Sequence, residues 1–343
     1  MKKINLFIVV LCLASSALAG EKLNVVTTLS TYANIAEMVG GDKVNVNYIV
    51  AGDQDAHFVR PKPSYAVLLN DADLFVSTGL DLELWVPSLI DMSKNNNIRS
   101  GQSGYVAAYD GIELLDKPTV LSRSEGGLHI YGNPHITTSP LNFKIIAENI
   151  EIGLSKIDPQ NESLYKENLN SFINEIDNRT FGEDLVKLLG GPLLTKLAHS
   201  GQLVDFLKNK EYKGKQLIDY LGGWMKDGLI FREAKITAYH KNWIYFQNIF
   251  GINIIGYVEP KPGIPPSPKH IEKLIREMKK NSVKVVLAAN YFDEGKVRNI
   301  CTRVGAVPAI VPMYVNGARG TEDVFKLIDN WVAALKAAFE SAS

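Results

Sequence analysis

Residues 22–50, KLNVVTTLSTYANIAEMVGGDKVNVNYIV, decide the fold class. Lys22–Thr27 is a short run rich in β-forming residues. Thr31–Val39 is helical in pattern, and Val44–Val50 alternates apolar and polar as a half-buried strand does. The alternation continues downstream. Pro63–Leu69 reads as a short helix with proline near its start, Asp73–Ser77 as a strand, and Leu82–Ser93 as a helix. Such βα alternation predicts a largely parallel sheet covered by helices.

The same pattern returns late in the chain. Lys235–Tyr239, Ile252–Val258, Val283–Ala288 and Val307–Val311 read as strands. Between and after them, Trp243–Phe250, Lys269–Lys280, Glu294–Val304 and Glu322–Phe339 read as helices. The middle is different. Residues 111–139 are irregular and rich in Gly, Ser and Pro; a long helical pattern starts at Asn142, broken at Asp158-Pro159 and resuming to about Arg179. Residues 180–234 are mostly helical, punctuated by paired glycines. The expected architecture is therefore α/β with two lobes, each a largely parallel sheet flanked by helices. The expected divisions are an N-terminal lobe at 20–140, connector helices at 141–182, a helical insertion at 183–234 and a C-terminal lobe at 235–343. In such sheets ligands bind at the carboxyl ends of strands, so the expected site is the interlobe cleft.

Composition narrows the function. The chain has 343 residues, with 37 Lys+Arg against 37 Asp+Glu, which gives no electrostatic reason to bind nucleic acid or an anionic membrane. Residues 1–19, MKKINLFIVVLCLASSALA, have a basic start, an apolar run and an Ala-x-Ala ending, the pattern of a cleaved secretory signal peptide. Cys12 lies inside that apolar run and lacks the small residue before it that a lipid-attachment site requires. Cleavage removes two lysines and Cys12, and leaves Cys301 as the one thiol. Its neighbours Val297, Ile300 and Val304 at helical spacing make it a buried core thiol. An exported chain without disulfides relies on its core, or on a bound ligand, for stability.

The chemistry is carried by histidines. His57 lies in DQDAHFVRPKP, a loop that follows the strand Val44–Val50 and is stiffened by two prolines. His135 lies in GNPH within the irregular segment, and His240 directly follows the strand Lys235–Tyr239. Neutral imidazole suits zinc. His129, six residues before His135, is a weaker candidate; His199 sits in a helical segment and His270 opens a helix on an expected exposed turn. No HxxxH or CxxC pair accompanies these residues, so spacing alone does not define a site.

Taken together, DAHFVRPKP around His57, GNPH around His135, YHKNWIYF around His240 and EPKPGIPPSPKH at 259–270 resemble the zinc/manganese solute-binding proteins of ABC transporters, the TroA-like family. The likeness covers nearly the whole chain after residue 19. It implies a periplasmic two-lobed binder holding a metal between the lobes through His57, His135 and His240. It also implies a long connector helix, an ABC-transporter permease as partner, and Zn²⁺ as transported ligand, with Mn²⁺ as the alternative. A monomer is the default expectation. Three histidines favour zinc, because manganese members present a carboxylate in place of the third.

The sequence departs from the family pattern in three places. Many members place a carboxylate after the last strand, where this chain has Pro312-Met313-Tyr314. Glu259, Asp293, His129 and water are then the candidates for a fourth ligand. The histidine-rich loop of many zinc members is reduced to His129, and residues 180–234 are longer than the usual connection. Trp224 and the glycines there either cover the cleft, dock a partner or form an extra helical layer. Two other functions fit three histidines: an exported zinc hydrolase, and a scaffold whose metal is structural. No HExxH, GxSxG or P-loop supports the hydrolase.

Overall fold

Strand β1 (Leu23–Leu29) runs into helix α1 (Ser30–Gly40), and the chain returns as β2 (Val44–Val50), parallel to β1. Val25, Val26 and Leu29 are fully enclosed because α1 lies against this strand with Tyr32, Ile35 and Val39. Helix α2 (Pro63–Asn70), strand β3 (Leu74–Ser77), helix α3 (Val86–Ser93) and strand β4 (Tyr105–Ala107) complete the first lobe. Its sheet has the order β2-β1-β3-β4, all parallel. The computed structural model describes residues 21–118, 129–261 and 263–342. The signal peptide expected at 1–19, with Cys12, lies outside the described residues.

Helix α4 (Asn142–Ile157) covers the first sheet, packing on α1, β3 and β4. Asp158 and Pro159 turn the chain into α5 (Glu162–Phe181), whose 20 residues span about 30 Å. Beyond it come α6 (Glu183–Leu189), α7 (Gly191–His199) and α8 (Leu203–Lys208). A two-residue-strand hairpin, β5 (Glu211–Tyr212) and β6 (Lys215–Gln216), and helix α9 (Gly223–Asp227) follow. Lys144 of α4 is tied to Asp177 of α5 at 2.7 Å and donates to Thr195 of α7 at 3.0 Å. Trp224 is buried away from solvent and donates to Asp329 Oδ1 at 2.6 Å on the closing helix, so it belongs to a helical layer and not to a cleft cover.

The second lobe repeats the first. It comprises β7 (Lys235–Ala238), α10 (Ile244–Phe250), β8 (Asn253–Tyr257), α11 (Pro268–Lys280), β9 (Val285–Ala289), α12 (Glu294–Val304), β10 (Val307–Val311) and α13 (Val324–Ser341). Its sheet has the order β10-β9-β7-β8, again all parallel. Cys301 is buried among Val297, Ile300 and Met278, and burial pushes its thiol up to about 11.

The two-lobed α/β expectation is met, with two local differences. Strand β4 has no sequence signature of its own; three residues become a strand by pairing with β3. The helix expected from Leu82 starts instead at Val86. Glu83 folds back to accept hydrogen bonds from the Thr78 N–H at 3.1 Å and the Thr78 hydroxyl at 2.7 Å, which holds residues 78–83 as a turn.

The lobes share one apolar core, which runs from β1 and α1 through α5 and α9 to β10 and α13. Direct bonds lock the seam. Ser30 Oγ donates to Val315 O at 2.6 Å, and Asn34 Oδ1 accepts from the Val324 N–H at 2.9 Å. At Gly52 the two backbones touch: a Cβ there would stand 2.3 Å from Val315 O and from Gly317 N.

Candidate metal centre

Each of the three sequence-selected histidines is set by local chemistry before it meets the others. Asp55 precedes a single helical turn, Ala56–Phe58, and its Oδ1 accepts the His57 N–H at 3.0 Å. The same oxygen takes His57 Nδ1 at 2.7 Å, so one aspartate fixes both backbone and ring. The turn is anchored from behind, where Trp85 Nε1 donates to Ala56 O at 2.8 Å.

His135 is held by the Asn-Pro-His loop. Asn133 Oδ1 accepts the His135 N–H at 3.0 Å, while Asn133 Nδ2 donates to Lys241 O across the seam at 2.6 Å. Tyr245 of α10 donates to Asn133 O at 2.6 Å. The loop that carries His135 is thus bonded to the residue that follows His240.

His240 stands at the carboxyl end of β7. Tyr239 beside it stacks on Phe292, with centroids 4.2 Å apart and planes 14° from parallel. His240 Nδ1 meets Glu259 Oε2 at 2.5 Å, and Glu259 Oε1 accepts the Gly263 N–H at 2.8 Å. Gly263 has φ +73°, and a Cβ there would come within 3.1 Å of Phe58 Cζ on the opposite lobe. A glycine lets the two rims of the cleft approach.

The structure brings His57, His135 and His240 together from three separate parts of the chain. Their ligand nitrogens lie within 4.8 Å of one another, and their ring centroids are 5.0–5.5 Å apart. His135 and His240 are 2 % and 4 % exposed, and the Nε2 atom of each is buried without a hydrogen-bond partner among the described residues. A buried polar atom without a partner is costly, and a lone pair in that position is a donor awaiting an acceptor cation. Burial, and then the neighbouring imidazoles of His57, His240 and His129, push His135 well below its usual pKa, which keeps it neutral. Carboxylates accept only, so the bonds to Asp55 and Glu259 place the hydrogen on Nδ1 and leave Nε2 free, as metal-binding histidines require. The nitrogen set therefore fits a small cation that prefers imidazole.

The other candidates fall in different places. Glu259 engages His240 Nδ1 and the Gly263 N–H, which makes it a support for a ring and not a ligand aimed at the nitrogen cluster. Asp293 caps α12 by accepting the Lys296 N–H at 3.0 Å on an exposed face. His129 reaches the group: its Nε2 is 3.4 Å from His57 Nε2, and its Nδ1 is 2.9 Å from Asp81 Oδ1. His199 ends α7 and borders a separate cavity of about 420 Å³ with Glu113, Tyr245 and Asn248. His270, expected on an exposed turn, is half-buried and bonds Tyr257 O through Nε2 at 2.9 Å, tying α11 to β8.

Of the ring supports, the sequence singled out Glu259, but as a candidate ligand, and passed over Asp55 and Asp81. Asp55 had a local signal, an acid two residues before a histidine in a turn. Asp81 had none, because its partner lies 48 residues away, and the support that Glu259 gives depends on a ring 19 residues away.

Fold and site together define a two-lobed α/β protein whose cleft converges imidazole nitrogens from both lobes. Residues 25–180 and 207–338 match the family described as "Zinc-uptake complex component A periplasmic", and the chain belongs to it. This is a family of metal-binding, substrate-binding components of ABC transporters, not of enzymes, so the hydrolase reading is set aside. The match omits residues 181–206, which hold α6 and α7. Among curated relatives, the manganese ABC transporter substrate-binding lipoprotein PsaA of Streptococcus pneumoniae is 31% identical over 163 residues, 46% of this chain and 50% of that protein. The zinc-binding lipoprotein AdcA of the same species is 26% identical over 262 residues, 72% of this chain and 50% of that protein. The chain thus spans about half the length of these relatives. A solved structure of a zinc-bound ZnuA deletion mutant shares the fold, with TM-score 0.66 at 20% identity, covering 93% of this chain and 98% of that one.

Proposed function

We propose that this protein captures a divalent transition-metal ion, zinc in the first place, in the periplasm and delivers it to the permease of an ABC transporter. The observation that carries this reading is the pair of buried Nε2 atoms on His135 and His240, without partners among the described residues, grouped with His57. The ion is cargo: it is bound and released, not used in a reaction. His57, His135 and His240 supply the nitrogens, Asp55 and Glu259 orient two of the rings, and the aromatic pair Tyr239–Phe292 stiffens the wall beside His240.

Zinc is preferred because the convergent donors are nitrogen, whereas manganese favours carboxylate and water oxygens. Manganese remains the second reading, favoured by the manganese-transport relative in Streptococcus pneumoniae. Release proceeds by small shifts near the cleft, since the continuous core and the bonds Ser30–Val315 and Asn34–Val324 oppose a wide hinge. A resident structural metal would behave differently, because chelation would then unfold the chain.

The test is thermal stability of protein dialysed against a chelator. The expected result is a folded metal-free protein whose melting temperature rises on adding zinc, and rises less with manganese. No gain with zinc would sink the proposal, and a larger gain with manganese would reassign the metal.

A further inference from the structure

The contact between His57 and His129 places a fourth imidazole against the three-histidine site. His57 Nδ1 is 2.7 Å from Asp55 Oδ1, and His129 Nδ1 is 2.9 Å from Asp81 Oδ1. Each carboxylate only accepts, so each Nδ1 carries a hydrogen and each ring turns its Nε2 edge away from its carboxylate. The two Nε2 atoms face each other at 3.4 Å. A cation bonded to both nitrogens would fill the space between them. The spacing suits one: in a tetrahedral centre with nitrogen–zinc bonds of about 2.0–2.1 Å, ligand nitrogens stand about 3.3–3.4 Å apart.

We infer that His129 is a fourth nitrogen ligand of the same ion, positioned by Asp81, so that the centre is all-imidazole. The inference rests on reading the cleft as a metal site, and it supplies the ligand for which the chain has no carboxylate after β10. Three further observations carry it. The His129 ring lies 5.5 Å from His57, within the range of the trio, and 5.9 Å from His135, just beyond it, so it borders the trio on the His57 side. Its side chain is as enclosed as that of His57, each 14% exposed. Asp81 uses its second oxygen to accept the Ile130 N–H at 3.1 Å, so it fixes both the ring and the backbone beyond it. This repeats, at a distance of 48 residues, what Asp55 does locally for His57. Four neutral imidazoles give the ion no anionic oxygen, which selects for zinc and against manganese more strongly than three would.

X-ray absorption at the zinc edge, on the full chain loaded with one equivalent of zinc, counts imidazole ligands directly. Wild-type protein should show four, and His129→Ala three plus an oxygen, with zinc affinity lowered about 10–100-fold and the preference for zinc over manganese narrowed. Asp81→Asn should weaken zinc about 10-fold while leaving His57, His135 and His240 in place. A wild-type centre of three imidazoles and an oxygen, unchanged in His129→Ala, would overturn the inference and leave the three-histidine reading intact. Failure of the wild type to take up zinc at all would overturn both.

Discussion

The first sheet, β2-β1-β3-β4, and the second, β10-β9-β7-β8, are both four-stranded and parallel, yet their carboxyl ends carry different chemistry. Loops of the first lobe bring His57 with Asp55, and Asp81, which holds His129. They also bury Glu83, which accepts from Thr28 Oγ1 at 2.6 Å and is pushed up to about 7 by that burial. The second lobe contributes one histidine, His240, with one carboxylate, Glu259, and an aromatic wall of Tyr239, Tyr291 and Phe292. After β10, where the family resemblance leads one to expect a carboxylate, Met313 and Tyr314 are buried in the shared core. The lesson is that one scaffold, used twice, need not be loaded symmetrically. Donors that a second lobe omits can be supplied from the first.

The sharpest way to break this comparison is to remove one ligand from each side. His57→Ala and His240→Ala should each lower zinc affinity by more than about 100-fold, beyond the 10–100-fold typical of an outer partner. Isothermal titration in competition with a chelator reads this; a variant that still binds like wild type removes its lobe from the site. The carboxylates come next. Asp55→Asn and Glu259→Gln should each cost about 10–100-fold in zinc affinity, because each releases an imidazole from its orientation. An effect confined to one of them would show that the other merely caps its loop.

The pH dependence of metal-free protein separates two buried groups of opposite sign. His135 is held well below 6.5 by burial and by the neighbouring imidazoles. The folded protein then takes up fewer protons than the unfolded chain, so this contribution is full above about pH 6.5 and is lost as pH falls below it, by up to about 1.4 kcal/mol per unit. Glu83 is raised by burial from 4.5 to about 7. Its folded form holds a proton that the unfolded chain has released, so its contribution is full below about pH 4.5 and declines as pH rises to about 7. Urea unfolding of Glu83→Gln should therefore show a variant that gains on wild type between about pH 5 and pH 7. A constant offset across that range would contradict the assignment. The smallest effect is expected from Tyr245→Phe, which loses the bond to Asn133 O and the acceptor of the Leu115 N–H and should cost about 1–2 kcal/mol in a thermal melt, with a minor change in zinc affinity.

The alternation of strand and helix was legible because residues such as Val44–Val50 and Lys235–Ala238 carry their period in their own side chains. Strand β4 was not, since three residues at Tyr105–Ala107 acquire their conformation from β3. The Pro-stiffened or strand-end settings of His57, His135 and His240 singled out three rings that the fold brings together. What was not legible is which carboxylate meets which ring: the Asp81–His129 and Glu259–His240 bonds depend on folding, and the latter leaves Glu259 behind the ring it supports. The position of Trp224 against Asp329, 105 residues away, is hidden from sequence for the same reason.

We place the transition-metal ion among imidazoles drawn from both lobes. Anomalous diffraction at the zinc edge, from crystals of full-length protein loaded with zinc, locates the ion. One strong peak is expected within bonding distance of Nε2 of His57, His135 and His240. A protein that binds zinc with no peak at these nitrogens, or with its peak elsewhere, would contradict this placement.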